Sequence, residues 1–255
     1  MELYPYQVED IAWLKDRPRS ILGSEMGTGK TIIFLDLCKQ LEAQMALVVC
    51  PKSLIAEWEY QAEEWLGKKW LREKLAVINY EKLRNLDFTN LMSSEPWDLI
   101  CFDECHKLKN PKAKQTNGAF MLVANQEQRV VLMSGTPMQN GPQDLFSLLK
   151  IISPLQYTSY WTFIEKYCVI QQLNRPPFPR VIVGTRNGKE LRELLHSNMR
   201  RRTKKEVLPD LPDKVFRTLP VVLGKGQEAK YQQMEDELFV LLDSGERVTA
   251  PAVNI

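Results

Sequence analysis

One stretch near the start limits the possible folds more than any other. Ser20-Ile-Leu-Gly-Ser-Glu-Met-Gly27-Thr28-Gly29-Lys30-Thr31 runs from an apolar segment through a glycine turn into a second apolar segment. Strand, glycine turn and helix in that order make a phosphate cradle. Glycines let backbone N–H groups approach phosphate oxygens, and the following helix N-terminus adds partial positive charge. Gly27, Thr28 and Gly29 would line the turn. Lys30 would reach the β- and γ-phosphates of a nucleotide, and the Thr31 hydroxyl would hold Mg²⁺. Ser24 stands where a first glycine is usual. A glycine turn that merely precedes Lys-Thr is the bland alternative, and the flanking strand and helix weigh against it.

The rest of the chain repeats the same alternation. Apolar runs at Ser20–Leu22, Ala46–Cys50, Leu75–Ile78, Asp98–Phe102 and Val130–Met133 alternate with amphipathic stretches at Thr31–Leu41, Leu54–Leu66 and Lys112–Val123. Short, continuous apolar strands between helices indicate an α/β fold with a mainly parallel sheet covered on both faces. With 44% hydrophobic and 26% charged residues in 255, the chain has an ordinary globular composition and enough length for a sizeable core. No apolar run approaches a bilayer span, so no transmembrane helix is expected. Five cysteines without a paired framework read as reduced thiols. No secretory signal is visible, and reduced thiols make an intracellular protein the simpler expectation. From about Pro142 to Arg202 the pattern loses its period, and Pro176, Pro177 and Pro179 mark a loop. The segment Lys214–Leu223 reads as a strand and Gln227–Leu242 as a helix.

Two further strand ends carry polar chemistry. Asp103 and Glu104 follow an apolar strand, and in an open parallel sheet ligands sit off the carboxyl ends. That strand is expected beside the phosphate loop. Asp103 would bind Mg²⁺ through water and Glu104 would polarise an attacking water; a helix cap or turn is the bland alternative. His106 reads as an ordinary, partly buried histidine, with no zinc site around it. The third strand end, Ser134-Gly135-Thr136-Pro137, is either a simple turn or a relay of nucleotide state to a nucleic-acid surface. Residues 175–214 hold eleven Lys and Arg against five Asp and Glu, a net +6 in a chain of +2. The excess peaks at Arg200-Arg201-Arg202-Thr203-Lys204-Lys205, read as a phosphate-facing patch, a solvated face or a brace for the lobe.

These motifs, in this order, resemble the first RecA-like lobe of superfamily-two helicase-like ATPases, and in particular the SWI/SNF-related branch. Glu25-Met-Gly-Thr-Gly-Lys-Thr, Pro51-Lys52-Ser53-Leu-Ile-Ala-Glu-Trp58, Asn79-Tyr80-Glu81, Asp103-Glu-Cys-His106, Ser134-Gly-Thr-Pro-Met-Gln-Asn140 and Arg201-Arg-Thr-Lys carry the likeness. Phe163-Ile-Glu-Lys-Tyr-Cys168 also resembles a compact annealing-helicase-like subgroup. The resemblance implies a three-layer RecA-like P-loop domain at 1–216 with a helical protrusion at 142–200. A linker and the start of a second lobe would occupy 217–255. It further implies ATP and Mg²⁺ as cofactors, Gln7 reading the adenine edge, and duplex DNA as partner. Backbone contacts to DNA would come from Pro51, Lys52, Ser53, Tyr80, Gly135 and Thr136.

The family hydrolyses ATP between two lobes, and the second lobe supplies arginines. About 40 residues after Lys214 cannot form one, so this chain is expected to be inactive by itself, either truncated or naturally split. Met1 directly before the adenine segment suggests a minimal bacterial or viral version, cytoplasmic rather than nuclear. The competing readings are a strand-separating or RNA-directed helicase, and a lone nucleotide- or DNA-binding module.

Overall fold

The structure, a computed structural model, describes residues 2–124, 127–172, 180–208, 211–212, 215, 217–237, 239–241 and 247–249. The chain divides into two compact units, Met1–Leu211 and Pro212–Ile255.

In the first unit all five expected strands form: β1 (Arg19–Leu22), β2 (Ala46–Cys50), β3 (Leu75–Asn79), β4 (Leu99–Asp103) and β5 (Arg129–Met133). A sixth, β8 (Met199–Arg200), completes a sheet ordered β3-β2-β4-β5-β1-β8. Every pairing in it is parallel. The continuous apolar runs now have a geometric reason. Within β2, Leu47 and Val49 enter one hydrophobic core while Ala46, Val48 and Cys50 enter the other. β4 and β5 divide the same way, with Ile100, Phe102, Val130 and Leu132 on one face and Leu99, Cys101, Val131 and Met133 on the opposite one. Strands buried on both faces have no polar side to show, which is why they carry no alternation. Helices α1 (Pro5–Lys15), α2 (Lys30–Gln40) and α3 (Ile55–Leu66) pack on the second face. On the first lie α6 (Lys114–Leu122), α7 (Leu145–Ile152) and α8 (Tyr160–Tyr167). The result is the three-layer RecA-like arrangement. Cys38, Cys50, Cys101, Cys105 and Cys168 are all free and buried. Among the described residues no helix is long and apolar enough to cross a membrane.

Several expectations change. The protrusion is not purely helical: β6 (Cys168–Gln172) and β7 (Arg180–Thr185) form an antiparallel hairpin between α8 and α9 (Gly188–Asn198). Pro176, Pro177 and Pro179, expected in a loop, lie outside the described residues. β4 is not adjacent to β1, because β5 runs between them. The second unit contains α11 (Lys225–Glu237) and an antiparallel pair, β9 (Phe239–Leu241) with β10 (Arg247–Thr249). The strand expected over Lys214–Leu223 does not form at its described positions, and the helix ends at Glu237 where a continuation to Leu242 was expected.

Candidate nucleotide site at the strand ends

Because β4, β5 and β1 are neighbours in that order, their carboxyl ends bring the acidic pair, the serine turn and the phosphate loop side by side. Gly27 and Gly29 take positive φ of 78° and 73°, a conformation that a Cβ opposes. Gly29 caps α2, and any side chain there would run into the Gln7 amide. The glycines are therefore required by the turn itself. Lys30 is the first residue of α2, and its ammonium donates to the Ser24 and Glu25 carbonyls at 3.0 and 3.1 Å. Burial lowers its pKa, opposed by the negative charge of Glu104 and Asp103. Thr31 follows on the same first turn. The Thr28 hydroxyl donates to the Glu25 carbonyl at 2.9 Å, and the Thr28 carbonyl accepts from Tyr6 at 3.1 Å and from Gln7 Nε2 at 3.4 Å. Gln7 is buried, and its Oε1 accepts from the Tyr4 amide at 2.9 Å. One amide hydrogen and one lone pair remain on Gln7 for a base edge.

Asp103 is 8% exposed, and each of its carboxylate oxygens accepts one hydrogen bond. Its Oδ2 accepts from the Trp58 indole and its Oδ1 from the Glu104 amide, both at 2.9 Å. Burial raises its pKa, while the Trp58 hydrogen bond works the other way. In the sequence Trp58 is the last residue of the motif that begins Pro51-Lys52-Ser53, with no link to the acidic pair; its position on α3 turns it into the group that orients the carboxylate. Glu104 holds φ 50° and ψ 49°, a left-handed conformation costing on the order of 1–3 kcal/mol in a non-glycine residue. Its Oε2 lies 3.1 Å from His106 Nδ1 and 3.3 Å from the Ser134 hydroxyl, and these two are 3.1 Å apart. His106, read from sequence as unremarkable, is thus one corner of a triangle joining the ends of β4 and β5. The Thr136 amide donates to Ser134 Oγ at 3.1 Å, tying the exposed part of that turn to it.

The residues expected to touch nucleic acid separate into two groups. Lys52 and Ser53 are exposed on a short turn after β2, with Pro51 at its start, and Thr136 is exposed as well. Tyr80 and Gly135 are corrected. The Tyr80 ring is 1% exposed and its hydroxyl donates to the Asp103 carbonyl at 2.6 Å, so it braces the acidic strand end from inside. Gly135 is buried, and its carbonyl accepts from Arg201 at 3.4 Å.

The basic cluster is a brace rather than a free patch. Beyond β8 the backbone follows the phosphate loop: the Gly23 amide donates to the Arg200 carbonyl at 2.7 Å and that of Glu25 to the Arg202 carbonyl at 2.9 Å. Arg201 donates to the Gly23 carbonyl at 3.1 Å. Arg200 and Arg202 both donate from Nε to Asp10 Oδ1, at 2.8 and 3.0 Å, and both reach Glu9. Asp10 is completely buried. Asp10→Ala should leave two guanidinium groups without their shared acceptor and lower stability by roughly 1.5–3 kcal/mol, read from urea denaturation. An unshifted midpoint would return these arginines to the list of groups free for another partner.

Comparisons with known proteins agree with this architecture. Residues 71–252 match the SNF2-related domain family, and residues 1–139 match the type III restriction enzyme res subunit family. The chain belongs to the SNF2-related family. It is 30% identical to a Caenorhabditis elegans homolog of SWI/SNF-related matrix-associated actin-dependent regulator of chromatin subfamily A-like protein 1, over 91% of this chain and 36% of that protein. It is 29% identical to nuclear protein STH1/NPS1 of Saccharomyces cerevisiae, over 93% of this chain and 20% of that protein. The chain therefore spans 36% and 20% of the length of these two curated relatives. The Sulfolobus solfataricus SWI2/SNF2 ATPase core, solved in complex with dsDNA, superposes with a TM-score of 0.66 at 24% identity, covering 93% of this chain and 53% of that one. That likeness concerns the fold. The relatives correct one expectation: they are named as a chromatin regulator and a nuclear protein, which points away from the cytoplasmic setting.

Proposed function

We propose that this chain is the first lobe of an ATP-driven translocase on duplex DNA, in which ATP hydrolysis takes place when a second lobe closes over the strand ends. The observation that carries the reading is the convergence of Lys30 with the adjacent pair Asp103 and Glu104, from two separate parts of the sequence, off the carboxyl ends of the strands. Lys30 would leave its loop carbonyls to meet the β- and γ-phosphates, and backbone amides of Gly27 to Thr31 would cradle them. Mg²⁺, held by Thr31 and through water by Asp103, would neutralise charge developing on the phosphate oxygens. The donor set fits: a buried carboxylate kept in orientation by Trp58 keeps lone pairs for a water shell. Glu104 would orient the attacking water, and Gln7 would read the base with its remaining donor and acceptor. A catalytic glutamate distinguishes this from a pure binding module, which needs none.

The exposed turn Pro51-Lys52-Ser53 and Thr136 would hold the DNA backbone without reading bases. Trp58 lies on the helix directly after that turn and bonds Asp103, so movement of the DNA-facing turn has a short mechanical path to the metal carboxylate. In a protein carrying both lobes, duplex DNA should stimulate ATPase activity more than single strands or RNA do. Lys52→Ala should weaken DNA binding uniformly across sequences and flatten the salt dependence by about one phosphate contact. Equal stimulation by RNA would favour an RNA-directed relative, and an unchanged salt slope would remove Lys52 from the interface.

A further inference from the structure

Beside the phosphate loop stands a second cation that the hydrolysis scheme leaves unused. Lys204 opens the short helix α10 (Lys204–Val207), and its half-buried side chain runs along Gly27. A Cβ placed on Gly27 would lie 3.2 Å from both Lys204 Cε and Nζ. The contact is not accidental to one loose side chain, because the backbone around it is tied down on two sides. The Lys204 amide donates to Glu25 Oε2 at 2.8 Å, and the Glu25 amide donates back to the Arg202 carbonyl at 2.9 Å. Thr203 caps α10 by accepting from the Glu206 amide, while Glu206 accepts from the Thr203 amide. Among the described residues no carboxylate pairs with the Lys204 ammonium.

This contrasts with its neighbours. Arg200 and Arg202 are neutralised by Glu9 and Asp10, and Arg201 is occupied by the Gly23 and Gly135 carbonyls. Lys204 alone of these four has neither an ion pair nor a side-chain hydrogen bond among the described residues, and it lies against Gly27, one of the two glycines of the phosphate turn. Burial is the main force lowering the Lys30 pKa, and Lys204 pushes in the same direction, so the two ammonium groups feel each other across the loop. Two ammonium groups close to one turn, the Lys204 one without an ion-pair partner among the described residues, are poised for a polyanion.

We propose that Lys204 is a second phosphate-binding residue of the nucleotide site, closing on the β- and γ-phosphates from the side of Gly27 opposite Lys30. Its tether to Glu25 makes it part of the loop in space, although it lies far along the chain. The assignment rests on the nucleotide-binding reading of the loop, and the test separates the two.

The measurement is calorimetric titration of Mg·ATP into the 255-residue chain and its Lys204→Ala and Lys30→Ala variants. Lys204→Ala leaves the backbone bond to Glu25 and the Thr203–Glu206 cap in place, so the melting temperature should hold. Lys204→Gln, of similar length and uncharged, serves if it does not. The expected result is a loss of roughly tenfold in ATP affinity for Lys204→Ala, largely restored in Lys204→Arg, alongside a loss for Lys30→Ala. Full affinity in both neutral Lys204 variants, with a loss in Lys30→Ala, overturns the role of Lys204 and leaves the site intact. Full affinity in Lys30→Ala as well overturns the nucleotide reading itself. Weakened duplex-DNA binding in the Lys204 variants with ATP affinity unchanged also overturns the assignment, placing the ammonium on a nucleic-acid backbone instead.

Discussion

In a protein that carries both lobes, Glu104→Gln should keep Mg·ATP binding and lower turnover by about 10²–10⁴-fold, the range contributed by a positioned general base. The geometry explains why binding should survive. In the proposed scheme Glu104 is not the metal carboxylate: Asp103 would take that place, held by Trp58 and by the Glu104 backbone amide, which glutamine also provides. Glutamine is nearly isosteric and can keep the neighbours of Oε2, His106 and Ser134. What it removes is the negative charge that would face the attacking water. Asp103→Ala should behave differently and lose Mg·ATP binding along with turnover. Nucleotide binding and steady-state ATPase measured on both variants decide the matter. If Glu104→Gln loses Mg·ATP as Asp103→Ala does, the two carboxylates have been given each other's roles.

A polypeptide of these 255 residues alone should fold through its first unit, bind ATP or ADP weakly, and turn over at background rate with or without duplex DNA. The sheet of that unit is complete and covered on both faces, so its core does not depend on a further lobe. The three arginines that run beside the phosphate loop are engaged within the unit. Arg200 and Arg202 are bound to α1 and Arg201 to loop carbonyls. An arginine closing on the γ-phosphate is worth roughly 10³–10⁵ in rate in related phosphoryl-transfer enzymes, and here it would come from a second lobe. Steady-state ATPase on this polypeptide and on the two-lobed protein gives the comparison. DNA-stimulated turnover by the short polypeptide, independent of its concentration, would defeat the two-lobe account. A steep concentration dependence would instead reveal a composite site formed by self-association.

What could be read without a structure has a common physical basis: it was local. A strand buried on both faces must be apolar throughout, so β2 and β4 announce themselves as unbroken runs such as Ala46–Cys50. A phosphate turn needs left-handed backbone, so Gly27 and Gly29 mark it by type and spacing alone. Asp103 and Glu104 follow an apolar strand directly. The remainder depended on partners distant in sequence. β8 is two residues long, and nothing in Met199-Arg200 suggests a strand until Ile21 and Leu22 are set beside it. Tyr80 lies in a motif compatible with a surface contact, and only burial against Asp103 shows that it faces inward. Trp58 and His106 acquire roles from groups brought to them by the sheet, not by the chain.

The basic run at Arg200–Lys205 marks the limit most clearly. As a string of charges it fits a solvated face, a DNA patch or a brace equally well, because charge alone carries no information about its counter-ion. The sequence alone determined the α/β class, the glycine turn, Lys30 and the acidic pair, since backbone conformation and apolar burial are imposed residue by residue. Only the tertiary structure decided which of these cations have a carboxylate partner among the described residues and which do not. Asp10 stands 190 residues from Arg200, and the electrostatics of that pair begin only when the fold brings α1 and β8 together.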